Sequence, residues 1–284
     1  AWPRAEILHA PGVEIEGGDL AGIGAAVELA RRSDLVVLCL GEQRFMSGEA
    51  GSRARPDLPG HQAEFAKAVL DTGKPVIVLL SSGRPLTANW LIERADAVLA
   101  TWFLGSEAGH AVADVLTGEW NPSAKLSVSW PVEVGQMPVF YGHKPSGRPL
   151  KTDFHYSSKY LDLPNEPLFP FGHGLSYTRF AYGDLAVNPS EVRAGDKITI
   201  ELSLSNDGKV AGEETVFLFM RDPVASVSRP VLELKGIEKV VLAPGQSKRV
   251  SLTLSSDDLK FLGAGFAPTL ESGVIEIFVG PSAK

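Results

Sequence analysis

The hydrophobic period of this chain changes part-way along it. Up to about residue 132, short apolar runs alternate with amphipathic stretches. The runs are Leu35–Leu40, Val76–Leu80, Val98–Phe103 and Leu126–Trp130. Helical patterns lie between them, near Leu20–Arg31, Gln62–Leu70, Leu86–Arg94 and Ala108–Leu116. Continuous apolar strands spaced by amphipathic helices mark βαβ units, whose strands pair in parallel. One helix exit is legible in Asp71-Thr-Gly-Lys-Pro75, with Gly just past the end and Pro beyond it. From about residue 181 the period is two. Ile198–Ser205, Glu214–Met220, Arg249–Leu254 and Val274–Val279 alternate, with turn residues at 206–209, 243–246 and 270–273. Short alternating strands with regular turn signals predict a β-sandwich of about 100 residues.

The expected fold is therefore an α/β sandwich, mostly parallel with helices on both faces, followed by an all-β sandwich. The expected boundaries are 1–140 for the α/β domain, 141–178 for a connecting strap and 179–284 for the β-sandwich. The strap is rich in Pro, Gly and aromatics, and its aromatics predict that it packs. The chain's one cysteine, Cys39, lies in an apolar run. It has no partner for an antibody-type bridge, so a fibronectin type III-like sandwich fits better.

Composition excludes several classes of function. A net charge of −7 argues against nucleic acid, because no basic stripe exists to neutralise phosphates. No apolar run approaches a membrane span. The six histidines are scattered without zinc spacing, so neither a metal nor a cofactor is expected. Gly17-Gly18 and Gly22-x-Gly24 do not make a dinucleotide or phosphate loop, which sets aside a nucleotide-binding domain. Ser82 lacks the Gly-x-Ser-x-Gly elbow of a nucleophilic serine. The chain opens Ala1-Trp-Pro-Arg-Ala, without an initiator methionine or a signal-peptide pattern, which leads us to expect a piece of a longer or processed polypeptide.

Chemistry concentrates in residues 41–62, GEQRFMSGEAGSRARPDLPGHQ. This stretch leaves the carboxyl end of the first predicted strand, where open α/β sheets form their ligand crevice. It is about 18 residues long, against about 2–6 for a common βα connection. Glu42 and Glu49 lie on it beside Arg44, Arg53 and Arg55. Charge of this density is not what packing needs.

The same stretch carries a resemblance. Gly48-Glu-Ala-Gly-Ser-Arg53 and Asp57-Leu-Pro-Gly-His-Gln62 are followed by Thr72–Pro75, Ser82-Gly-Arg-Pro-Leu86 and Ala100–Gly109. Asn121–Leu126, Gly135–Pro138, Pro170–Thr178 and Ser228–Gly236 then follow in order. Together these segments resemble the carboxyl-terminal two domains of a glycoside hydrolase family 3 β-glucosidase of the bacterial type, over essentially the whole chain. The resemblance implies a retaining, exo-acting enzyme on terminal β-D-glucosyl residues. Its nucleophile is an aspartate in an amino-terminal (β/α)8 barrel, which this sequence lacks. Its general acid/base is a loop glutamate, matched here to Glu49, with Glu42 as runner-up; Arg53 is matched to orienting Glu49 or binding sugar hydroxyls. Glu42 is otherwise a structural carboxylate at the loop base, and Arg53 a loop-fixing ion-pair partner. Retaining chemistry needs two carboxyl groups about 5–5.5 Å apart. The partners implied are a β-glucoside or oligosaccharide, the upstream barrel and a second copy in a homodimer. The location implied is periplasmic or secreted, although one cysteine suits the cytoplasm equally well. The competing expectation is a non-catalytic carbohydrate-binding or scaffold module.

Overall fold

The computed structural model describes residues 4–151 and 153–284, so the opening Ala1-Trp-Pro lies outside the described residues. The chain forms two compact units. One runs up to Thr117 and takes in Pro131–Met137; the other joins Gly118–Trp130 to Pro138–Lys284.

The first unit is built on a three-stranded parallel sheet. Helix α1 (Ala21–Arg32) leads to β1 (Val36–Gly41), α2 (Gln62–Leu70), β2 (Val76–Ser81), α3 (Asn89–Arg94), β3 (Ala97–Ala100) and α4 (Ala108–Thr117). Strand order is β1-β2-β3, with Val36 opposite Val76 and Ile77 opposite Ala97. The branched side chains of β1 and β2 suit this pleated surface. Leu38, Leu40, Val76, Val78 and Leu80 are buried, with Phe65, Val69 and Leu70 of α2 and Leu91 of α3. Helix α2 ends as the sequence predicts. Gly73 has φ +70° and its N–H donates to the Leu70 carbonyl, while the Thr72 hydroxyl donates to Val69 O at 2.6 Å.

Two predicted elements differ from the structure. Leu126–Trp130 is not a strand of the parallel sheet and belongs to the second unit. Leu126 and Trp130 give their backbone groups to residues 169–173 instead: Leu126 N–H donates to His173 O, and Trp130 pairs antiparallel with Phe169. An apolar run alone does not say which backbone will pair with it. Strand β3 also stops at Ala100, short of Phe103, because Trp102 takes φ +54° and turns the chain out of the sheet.

The second unit is antiparallel. Its strands are β4 (Phe180–Asn188), β5 (Lys197–Asn206), β6 (Gly212–Arg221), β7 (Glu233–Leu242), β8 (Ser247–Ser255), β9 (Phe261–Leu262), β10 (Pro268–Thr269) and β11 (Glu276–Gly280). They form the sheets β4-β5-β8 and β11-β6-β7 and the small pair β9-β10. Strand β5 alternates strictly between buried and less buried positions, which fixes its register. Ile200, Leu204, Leu218, Met220, Leu242 and Leu254, from both large sheets, share one core. Two carboxylate networks pin this unit. Lys125 Nζ lies 3.2 Å from Glu214 Oε1, and the Tyr182 hydroxyl donates to the same oxygen at 3.1 Å. Burial and the Glu214 charge push the Tyr182 phenol far above its ordinary range. Arg229 bridges Asp222 at 3.3 Å and Glu233 at 2.6 Å.

Candidate active site

The site starts where β1 ends. Gly41 has φ +148°, and a Cβ there would lie 1.8 Å from the Ser81 carbonyl oxygen of β2, so only glycine lets the two backbones approach this closely. The Gln62 side chain closes the gap from the other side. Its amide oxygen accepts from Gly41 N–H at 2.7 Å, and its NH2 donates to Gly41 O at 2.8 Å. The first residue of α2 thus substitutes for a neighbouring strand at the very end of β1. Glu42 follows, its N–H donating to Ser81 O at 2.8 Å.

This backbone turns the Glu42 carboxylate inward, where its side chain is fully buried. Two guanidinium groups meet it. Arg53 Nη1 donates to Glu42 Oε1 at 2.8 Å, and Arg84 Nε lies 3.3 Å from the same oxygen and 3.4 Å from Oε2. A buried carboxylate needs this company, because an unpaired charge in the interior is strongly unfavourable. The arginines also reach outward. Arg53 donates to Asp57 O at 2.8 Å and to Asp57 Oδ1 at 3.2 Å. Arg84 Nη2 donates to Met46 O and, at 2.6 Å, to Gly51 O. Glu42 therefore anchors two forks that together grip the loop at Met46, Gly51 and Asp57.

Glu49 sits between two of those grips. A turn of 3₁₀-helix at Arg44–Met46 precedes it. Gly51 N–H donates to Gly48 O at 3.1 Å, closing a turn whose second and third residues are Glu49 and Ala50. Gly48 has φ +99° and Ala50 φ +60°; the positive φ at the third position is that of a type II turn, unusual for alanine. Glu49 is exposed, and its carboxylate makes no ion pair or hydrogen bond among the described residues. Phe45 is 73% exposed nearby in sequence, with the Arg44 guanidinium 4.4 Å from its ring centre.

Of the predicted residues, the structure joins Glu42 to Arg53 and leaves Glu49 apart from both. Ser82 is buried, and its hydroxyl donates to Arg84 O at 2.7 Å. Among the described residues no group of His, Cys, Asp and Glu has the make-up of a metal site. Sequence reasoning missed the roles of Arg84 and Gln62. A signal for Arg84 existed: it follows β2 at the same end of the parallel sheet at which Glu42 follows β1.

A family model for the glycosyl hydrolase family 3 C-terminal domain matches residues 10–177. The chain belongs to glycosyl hydrolase family 3. A second model, of a fibronectin type III-like domain, matches residues 214–283 of this family 3 chain. It is 41% identical over 262 residues to a periplasmic β-glucosidase of Salmonella typhimurium, covering 92% of this chain and 34% of that protein. A β-xylosidase of Formosa agariphila is 41% identical over 283 residues, covering 99% of this chain and 38% of that one. Among solved structures, a β-glucosidase from Listeria innocua in complex with glucose superposes with a TM-score of 0.91 at 41% identity, covering 96% of this chain and 38% of that one. The chain thus spans little more than a third of the length of these relatives. No helix among the described residues is long and apolar enough to cross a membrane.

Proposed function

We propose that this chain is the carboxyl-terminal part of a retaining, exo-acting β-glucosidase that removes terminal β-D-glucosyl residues, with Glu49 as its general acid/base. The nucleophilic aspartate belongs to an upstream barrel, and the compartment is the periplasm or the exterior. One observation carries the reading: Glu49 is held out to solvent on a turn whose flanking carbonyls, Met46 O and Gly51 O, are both fixed by Arg84. A group that first gives a proton to a leaving oxygen and later takes one from water must be free of ion-pair partners yet held in place. Glu42 meets only the second condition, since its buried carboxylate is paired with two arginines. Its role in this reading is to organise the loop, and Arg53 shares that role.

The two steps divide between the carboxyl groups. The barrel aspartate attacks the anomeric carbon as protonated Glu49 gives its proton to the departing oxygen. Glu49, now a carboxylate, takes a proton from the water that hydrolyses the glycosyl-enzyme. In the full-length enzyme, Glu49→Gln is expected to lower the rate on alkyl β-glucosides about a hundredfold or more, because a poor leaving group needs protonation. Dinitrophenyl β-glucoside needs little such help and should lose far less in its first step. Equal, small losses on both substrates would remove Glu49 from the role.

A further inference from the structure

Retaining chemistry fixes which side of the scissile bond a loop serves. The nucleophile attacks the anomeric carbon from one face of the sugar ring, and the leaving oxygen departs on the other, toward the acid that protonates it. On the reading that Glu49 is that acid, side chains mounted beside it meet the leaving group before they meet the glucosyl ring. The closure of the loop shows which side chains those are. Met46 O and Gly51 O both accept from Arg84 Nη2, so the two oxygens lie no more than two hydrogen-bond lengths apart. The chain between them is a closed loop that carries Glu49, and Phe45 is the residue that enters it.

Phe45 is 73% exposed, and the Arg44 guanidinium lies 4.4 Å from its ring centre. A single exposed phenylalanine is ordinary on a protein surface. This one differs in its mount. It sits in the short 3₁₀ turn Arg44–Met46, whose last carbonyl Arg84 holds. The cation steadies the ring from one face and leaves the opposite face open. A ring with two rotatable bonds loses little entropy when it receives a partner. A second ring borders the same loop. The positive φ of Trp102 turns the chain out of β3, and Phe103, 44% exposed, follows it. A Cβ built on Gly83 would meet Ser47 Oγ and, at 3.2 Å, Phe103 Cε2. Phe103 therefore stands beside Ser47, within the loop that Arg84 closes.

We infer that Phe45, backed by Arg44, is the platform on which the leaving group stacks, with Phe103 bordering it. The substrates it favours are β-glucosides whose leaving group has a flat apolar face, either a second β-linked pyranose or an aryl ring. Both offer C–H groups or ring edges to the electron-rich face of an arene. An open-chain or methyl leaving group has no such face. Phe45 is thus a specificity-determining residue, and the proton transfer itself stays with Glu49. The inference rests on the reading that this loop supplies the acid/base.

The test uses full-length enzyme and three β-glucosides: cellobiose, phenyl β-glucoside and methyl β-glucoside. Phe45→Ala should lower kcat/KM about tenfold on the first two, the scale of one aromatic contact. On methyl β-glucoside the loss should stay within about twofold, because that substrate never used the platform. Phe45→Leu, which keeps apolar bulk without a ring, should behave like Phe45→Ala, and Phe45→Trp should restore the preference. A loss on cellobiose alone supports the platform and assigns it to a sugar; a loss on phenyl β-glucoside alone supports it and assigns it to an aryl group. Equal losses on all three substrates overturn the inference, since Phe45 would then be an anchor for the loop or for the upstream barrel. No loss on any of them overturns it as well. The acid/base reading is tested separately by Glu49→Gln. If Glu49→Gln discriminates between leaving groups by their need for protonation while Phe45→Ala acts uniformly, only the platform falls. If Glu49→Gln gives equal small losses while Phe45→Ala remains selective for rings, the acid/base assignment falls and the contact with the leaving group stands.

Discussion

Arg84 and Glu42, 42 positions apart, meet at 3.4 Å between Nε and Oε2, and the same guanidinium holds the carbonyls on either side of Glu49. The exposed carboxylate is thus placed through the buried one. Each fork is planar and rigid, which an ammonium cannot imitate.

Arg84→Met removes one of two cations from a buried carboxylate and frees two loop carbonyls. Stability should fall by about 3 kcal/mol, in keeping with the cost of breaking buried ion pairs. Arg84→Lys should recover little of it. Urea denaturation of both variants checks this; a loss from Arg84→Met no larger than that of a surface substitution would mean that water satisfies Glu42.

Glu42 and Glu49 should separate cleanly. Glu42→Gln is expected to destabilise by about 3 kcal/mol, leaving two guanidinium groups short of their anion. Glu49→Gln should change stability by less than about 0.5 kcal/mol, as surface positions without partners do. Parallel thermal melts decide it, and a large loss in Glu49→Gln would reveal a structural role that its exposure does not suggest.

Gly41→Ala forces a methyl group to within 1.8 Å of Ser81 O, at a φ that side chains rarely adopt. The expected loss is about 4 kcal/mol or more, the tail of single-substitution effects reserved for backbone strain. Gly73→Ala, where a Cβ meets no atom, shares the positive φ without the clash and should cost about 1 kcal/mol. Comparing the two by denaturant midpoint isolates the steric part.

In the second unit, Lys125→Met leaves Glu214 buried with the Tyr182 hydroxyl and without its cation. A loss of about 3–5 kcal/mol is expected, whereas the double change Lys125→Met with Glu214→Leu should recover most of it. A double-mutant cycle by urea unfolding tests the coupling, and additive losses would deny it.

Acid should destabilise this unit in two stages. Burial, with Lys125 adding to it, holds the imidazole of His173 below its ordinary value of 6.5. Above that value neither folded nor unfolded chain binds the proton. As pH falls below it, the unfolded chain takes a proton that the folded site refuses, and stability declines until the folded site is protonated too. Glu213, held low by its bond to Lys239, and Asp258, held low by Ser255, stabilise above their ordinary values of 4.5 and 3.8 and lose that contribution as pH falls through their lower folded values. His173→Phe should flatten the first stage only. An unchanged decline between neutrality and pH 5 would exclude His173 as its source.

Much of this architecture is written in local pattern. The runs at Leu35 and Val76 became β1 and β2, and the alternation at Ile198 became β5, because strand period and burial are local properties. Strands β4 and β7 gave no comparable signal. Their burial is irregular, and each is interrupted by a register shift, between Gly183 and Ala186 and opposite Leu218 and Phe219. The site divides in the same way. The density of charge marked the loop, and the Gly-Glu step after an apolar run marked its base. The partnership of Glu42 with Arg84 was not legible, since it depends on two parallel strands ending side by side. Leu126–Trp130 misled for the converse reason: a short apolar run has the same appearance whether a sheet or an isolated backbone bridge receives it.

The paired hydrogen bonds from Gln62 to Gly41 have a consequence for the length of the loop. They fasten together the two points at which the chain leaves and re-enters the sandwich, so everything between them is a closed excursion whose ends are fixed by a single amide. Lengthening such an excursion adds closure entropy only logarithmically, about 0.6 kcal/mol per doubling. Between Glu42 and His61 the chain can therefore grow at little cost away from Met46, Gly51 and Asp57, the points that the two guanidinium groups hold.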